Sequence, residues 1–488
     1  MSTTTPPRAS RFPLRHSRRR AGPASDTPGD GRRPWTILAL LVVAQFMVVL
    51  DITIVNVALP SIGRALGFAR ADLQWVVTAY ALCTGGLVLV GGRASDLFGR
   101  RRMFLAGLAL FTAASAVSGL APSPGVLIGA RVAQGIGAAA MTPAALSLVT
   151  TTYHGAQRAT ALSIWGAVSS GAVAVGVIAG GALVSLLSWH WVFLINVPVG
   201  LVAFVVAVRL LPASERATSA GSLDPLGGLT AVGGFVAIVY GLSGAPVHGW
   251  GSIRTIGLLV VGVVLLIAFA LIERSVREPL VPPAIWRERP LISSAVVILG
   301  TSGILVGSFF LVSLYTQDVL HWSALHTGVS LLPFVGAIAV GVHLTGHLIG
   351  RLGSGPLIMA GMALTGLGSV LFALGPDHAR YVTDLLPGLV VLGLGVGLGF
   401  PAASITAMAE IRADVAGLAS GITSTAHELG GAVGVASLAA IEAGGSTVAA
   451  GSHAAFAAAA LAGALLVALA ATAVPSVRPA PGTAVAVH

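Results

Sequence analysis

Charge is what this sequence has least of. Only 9% of its 488 residues are Asp, Glu, Lys or Arg, against roughly 25% in an average soluble domain. So few charges cannot cover a globular surface, which excludes an ordinary soluble enzyme. Disorder is excluded as well, because 55% of the chain is apolar. Cysteine is nearly absent: Cys83 stands alone, so no disulfide can form within the chain. Lysine is missing altogether, and all 27 basic residues are arginines. No Walker A phosphate loop occurs, which argues against ATP as the energy source. What remains is the composition of a polytopic membrane protein whose solvent is lipid.

Crossing a bilayer as a helix takes about 20 apolar residues. Fourteen runs meet that need: 35–59, 73–92, 103–121, 124–150, 160–185, 191–211, 226–246, 254–272, 291–315, 326–349, 355–375, 385–408, 414–441 and 453–474. The pattern predicts an all-α membrane protein. A basic tail, 1–34, carries eight arginines and reads as disordered. A six-helix bundle follows at 35–211, then a linker with two extra spans at 212–290, a second six-helix bundle at 291–474, and a short tail at 475–488. The loops GGRASDLFGRRR (91–102) and TGHLIGRLGSGP (345–356) align as a weak repeat, with Gly99 over Gly353. Two halves facing one another across a cavity are the usual build of secondary transporters.

The net charge of +10 could suggest a nucleic-acid partner. The arginines, however, sit in short connections. With the amino terminus in the cytoplasm, 22 arginines fall inside and 4 outside, leaving Arg131 within a span. That is the positive-inside bias of a multi-pass protein with both termini cytoplasmic. The reading therefore expects a lipid bilayer as partner, no nucleic acid and a monomer.

Ionisable residues within spans mark function by default. Asp51 lies in the first span (LDITIVNVALP), Arg131 in the fourth (LIGARVAQGIGAAA) and Glu428 in the thirteenth (STAHELGGAVG). Asp51 and Arg131 are expected to pair, as a proton switch or as a structural ion pair. Glu428, beside His427, could couple protons or recognise a cationic substrate. Gly92, Asp96, Gly99, Arg100 and Arg101 read as a gating loop between the second and third spans. Gly176, Gly180 and Gly181 allow close helix packing in the fifth. Asn56, Gln134, Trp165 and Asn196 are candidate cavity-lining residues. His343 and His347 lie four apart on one face, but no HExxH pattern or further cysteine supports a metal. No cofactor and no catalytic residue set is expected.

Four segments then carry a resemblance: LDITIVNVALP, GRASDLFGRR, LIGARVAQGIGAAA and WHWVFLINVPVG (189–200). The chain resembles the major facilitator superfamily and, within it, the fourteen-helix drug:proton antiporters of bacteria. The resemblance implies two bundles with alternating access, in a bacterial plasma membrane. It implies proton-driven export of amphipathic small molecules such as drugs, antibiotics or secondary metabolites, with Asp51 and Arg131 coupling protons and loop 92–101 gating. One departure stands out: the family's span-5 motif has a Gly-Pro pair, whereas Gly176 is followed here by Val177. An importer running on the same fold, or a non-transporting sensor or scaffold, remains an alternative at this point.

Overall fold

The computed structural model describes residues 32–212, 224–276, 279–409, 411–412 and 415–478. All but the last three residues of the basic tail, and the linker residues 213–223, lie outside them. In hydrocarbon every backbone polar group must be satisfied internally. Among the described residues, all regular structure is accordingly helical. In chain order the helices are α1 (Arg32–Leu66), α2 (Trp75–Phe98), α3 (Arg100–Gly119), α4 (Pro124–Thr152), α5 (Gly155–Leu186), α6 (Trp191–Leu194), α7 (Asn196–Leu210), α8 (Pro225–His248) and α9 (Ile253–Ser275). They continue with α10 (Arg289–Leu314), α11 (Ala324–Ser330), α12 (Leu332–Leu352), α13 (Ser354–Ala373), α14 (Leu386–Met408), α15 (Ala416–Ala443) and α16 (Val448–Ala473).

Thirteen helical stretches among the described residues are long and apolar enough to cross a membrane. The fourteenth expected span, α15, is a 28-residue helix in the same assembly. It is less apolar because His427, Glu428 and Glu442 dilute its Ala, Leu and Val. Two expected spans are broken. Pro198 has no N–H to offer the Leu194 carbonyl, and the sixth span divides into α6 and α7 at Ile195. Pro333 does the same four residues after Val329, dividing the tenth into α11 and α12 at Leu331.

The helices α1–α7 pack among themselves, chiefly as α1 on α5, α2 on α4, and α3 on α4 and α7. A second group joins α10 to α15 and α14, and α13 to α14 and α16. Between the groups run two seams, α2 against α15 and α5 against α11, with α1 also touching α10. The hairpin α8–α9 lies outside the first seam, with α8 against both α15 and α2. Gly99 and Gly353 each sit between consecutive helices at positive φ, +96° and +82°. Glycine tolerates that conformation best. Beyond α16 the chain folds back on the second of these turns. The Val477 carbonyl accepts the Ser354 N–H (2.9 Å), Ser476 Oγ accepts the Gly355 N–H (3.2 Å), and Ser354 Oγ accepts the Val477 N–H (3.0 Å).

Candidate functional site

Asp51 points from α1 into a closed polar chamber inside the first group of helices, and it is fully buried. Arg131 of α4 donates through Nη1 to Asp51 Oδ2, forming an ion pair, and to Gln134 Oε1 at 2.9 Å. Gln134, three residues along the same helix, donates Nε2 to Asp51 Oδ1 at 2.8 Å. Asn196 donates Nδ2 to that same oxygen at 3.2 Å. The Pro198 break places Asn196 at the start of α7, where it can reach α1. Ser115 of α3 accepts from both amides, at 3.3 and 3.2 Å, and donates to the Phe193 carbonyl at 2.9 Å. Two helices, α4 and α7, thus donate to one carboxylate of α1, and α3 braces both amides through Ser115.

The guanidinium is held with equal completeness. Its Nε donates to the Val76 carbonyl of α2 at 2.8 Å. One turn on, the Tyr80 ring lies over it, 4.3 Å from Cζ to ring centroid, and Phe193 lies on another side at 5.8 Å. Desolvating two charges is costly, and only pairing plus saturation of the remaining donors offsets it. The pair is formed here, and Nε and Nη1 of the guanidinium place their hydrogens on Val76, Asp51 and Gln134.

The second acid has no such cage. Glu428 lies on α15 where that helix faces Gly85 of α2; a Cβ added at Gly85 would fall 2.6 Å from the Glu428 Cβ. The Glu428 side chain is half-buried and makes no hydrogen bond or ion pair with the described residues. Its neighbour His427 turns elsewhere, with Nδ1 2.6 Å from Ser302 Oγ and its ring edge-on to Phe400 at 5.3 Å. Asp51 and Glu428 are therefore not in contact, but α2 touches both environments. Tyr80 of α2 is buried and within electrostatic reach of both carboxylates.

With this geometry in view, comparison with known proteins is decisive. Residues 41–435 match the Major Facilitator Superfamily. The chain belongs to that superfamily. It is a multi-pass membrane transporter and not an enzyme. It is 43% identical to the puromycin resistance protein pur8 of Streptomyces alboniger, over 84% of this chain and 82% of that one. It is 36% identical to the tetracenomycin C resistance and export protein of Streptomyces glaucescens, over 84% and 77%. It is also 36% identical to the lincomycin resistance protein of Streptomyces lincolnensis, over 85% of each.

Other expected site residues of this superfamily member take definite places. The expected gating loop is mostly helix: α2 runs on through Gly92 and Asp96, and Gly99 alone separates it from α3, which begins at Arg100. Gly91 is held in helix by close packing on the Ala139 carbonyl of α4, and α2 continues through the polar residues to Phe98. Arg101 donates Nη2 to the Val208 carbonyl near the end of α7 at 2.6 Å, fastening the turn to the last helix of its group. Gly176 and Gly180 lie against Thr53 and Ile54 of α1. Gly181 meets the backbone of Ala324 and Leu325 of α11, and Gly328 meets the Val177 carbonyl in return. The three glycines therefore bind α5 on both sides, across the seam as well as within its own group. Val177, in the place of the family's proline, is fully buried there.

Gln134 and Asn196, expected to line a cavity, are ligands of the Asp51 carboxylate. Trp165 sits in the packed apolar core with Leu41, Met47 and Tyr153. The side-chain Nδ2 of Asn56 donates back to the Ile52 carbonyl at 2.8 Å, while the Asn56 backbone carbonyl accepts from Ser313 Oγ of α10 at 2.8 Å. Sequence reasoning missed Ser115 and Tyr80. Tyr80 had a signal, since WVVTAY puts it one turn from Val76 on a face otherwise apolar.

Proposed function

We propose that this protein is a proton-coupled efflux antiporter of a bacterial plasma membrane, acting as a monomer with both termini cytoplasmic. Its cargo is an amphipathic small molecule of the antibiotic class, as the names of its relatives suggest. The reading rests on one contrast: Asp51 is a charge locked to Arg131 inside one half, whereas Glu428 faces the other half unpaired. The two six-helix bundles, 35–211 and 291–474, rock about the seams, and the linker helices ride outside them.

The cycle follows from the charges. Protonating Asp51 removes the counter-charge of Arg131 and loosens the chamber, so that α1, α4 and α7 can shift relative to α2. Deprotonation restores the cage. Glu428 binds the proton or a cationic group of the cargo in the space between the halves. The halves are fastened at the end carrying Arg64 and Arg70. There Arg64 pairs with Asp318 at 3.1 Å and Arg70 with Glu442 at 2.5 Å, while Gln317 of the second half donates to the Val57 carbonyl at 2.9 Å. At the same end α5 lies along α11 but barely touches α12. With the arginine-rich ends taken as inside, the fastened end is the outer one. One charge moved inward across 100 mV releases about 2.3 kcal/mol. For an uncharged cargo a single proton per cycle therefore supports a concentration ratio of some tens-fold; for a monovalent cation the exchange moves no net charge, and the pH difference alone drives it.

The test is purified protein in liposomes under an imposed pH gradient, with ethidium and puromycin as cargo. Uphill movement should require the gradient and stop in Asp51→Asn. Undiminished uphill movement in both Asp51→Asn and Glu428→Gln would refute the coupling assignment. Right-side-out vesicles that accumulate cargo when the outside is acidified would instead identify an importer.

A further inference from the structure

A cleft of about 610 Å³ opens where the linker helices meet the first half, at the end carrying Arg64 and Arg70. That volume is the size of a small-molecule site. Its walls come from the α1–α2 connection (Phe68, Asp72), the starts of α2 (Trp75) and α4 (Pro124, Ile128), and Tyr240 of α8. Only the inserted helix α8 supplies Tyr240, so the cleft depends on the two spans that a twelve-helix arrangement would lack.

The lining has a specific chemistry. Trp75 and Tyr240 stand 6.0 Å apart with their rings tilted at 48°, and Phe68 adds a third aromatic wall. Asp72 brings the one charge among the lining residues, and its side chain makes no hydrogen bond or ion pair with the described residues. Tyr240 is held by its tip: Arg254 donates Nη2 to its hydroxyl at 3.3 Å and lies 2.7 Å from His248 Nε2 through Nη1. Fixing the hydroxyl leaves the ring face free. Aromatic faces attract organic cations, tryptophan most strongly, and cages of this kind recognise alkylated ammonium groups. An adjacent carboxylate supplies the counter-charge. Among the described residues no basic side chain lines the cleft; Arg254 keeps its positive charge at the rim, so preference for a cation rests on Asp72 and the ring faces. No side chain of the lining itself would match the phosphate of a phospholipid.

We propose that this cleft is a second binding site for amphipathic organic ammonium compounds, a vestibule that receives cationic cargo at the outer face. This rests on the efflux reading above, with Glu428 as the site between the halves. The experiment is equilibrium binding of ethidium to the full chain in nanodiscs of phosphatidylglycerol. The native protein should bind two equivalents. Asp72→Asn and Tyr240→Leu should each weaken one of the two sites at least tenfold, whereas Asp72→Glu and Tyr240→Phe should keep both. Glu428→Gln should remove the other equivalent and leave the cleft occupied. A native stoichiometry of one, lost in Glu428→Gln, overturns the vestibule while leaving the efflux reading intact. Two sites indifferent to Asp72 and Tyr240 also overturn it. So does loss of the Asp72-dependent equivalent when phosphatidylethanolamine replaces phosphatidylglycerol, since the cleft then holds lipid.

Discussion

Asp51 and Glu428 are both carboxylates in the interior of long helices, yet one has a full set of partners and the other has none. Asp51 is tied to Arg131, Gln134 and Asn196 with no exposure. Glu428 stands half-buried opposite a glycine. The difference separates two tasks that a single intramembrane acid would have to combine. A caged charge resists change until a proton arrives, and the helices that cage it then respond together. A free charge can respond to whatever enters. In the proposed cycle the first half holds the switch and the second half reads the cargo.

The sharpest way to break this comparison is to neutralise the caged acid and then its partner. Asp51→Asn strands a buried guanidinium, and losing one member of such a pair costs about 3–5 kcal/mol. A large drop in unfolding temperature is expected, together with loss of uphill transport. Replacing Arg131 by Gln in the same chain should recover much of the stability and none of the transport. Thermal unfolding in detergent, alongside the liposome assay, separates the two effects.

A nearly comparable effect is expected at the seam. Gly328 touches the Val177 carbonyl, so Gly328→Val forces α5 and α11 apart, and overpacking of this kind costs about 1–3 kcal/mol. Cysteine accessibility at the Arg64 end should rise, because the contact that closes that end is lost. Unchanged accessibility would mean that the glycines merely fill space.

Within the cage, Gln134→Ala and Asn196→Ala should each cost about 1–3 kcal/mol, since each leaves the carboxylate short of a donor. The double variant should cost other than the sum, as the two amides share Asp51 Oδ1 and Ser115. Additive losses in unfolding experiments would dissolve the network into separate bonds.

Glu428→Gln completes the contrast with the smallest structural effect. With no partner to lose, stability should move by less than about 1 kcal/mol. Transport of cationic cargo should fall at least tenfold while an uncharged cargo is spared. Equal losses for both cargoes would place Glu428 in the proton step alone.

Much of this arrangement was legible in the amino-acid order. Fourteen apolar runs correspond to the helices, and two charges of opposite sign in otherwise apolar segments announced the Asp51–Arg131 pair. What the order concealed depends on third dimensions. Gln134 and Asn196 look like cavity residues until the Pro198 break turns Asn196 toward α1. Glycine-rich polar text at 91–99 reads as loop, yet helix continues to Phe98 because packing of Gly91 on the Ala139 carbonyl outweighs the weak helix preference of glycine. The isolation of Glu428 is a property of its neighbours on α2 and α10, and no local pattern encodes it.

The fold-back of Ser476 and Val477 onto the first turn of α13 bears on anyone handling this molecule. Those residues cap a helix far from α16 in sequence and tie the chain beyond α16 to the corner between α12 and α13. Trimming the chain after Val474 would leave the Ser354 and Gly355 amides to find water, and the second half would lose a brace that the first half obtains from Arg101 on the Val208 carbonyl.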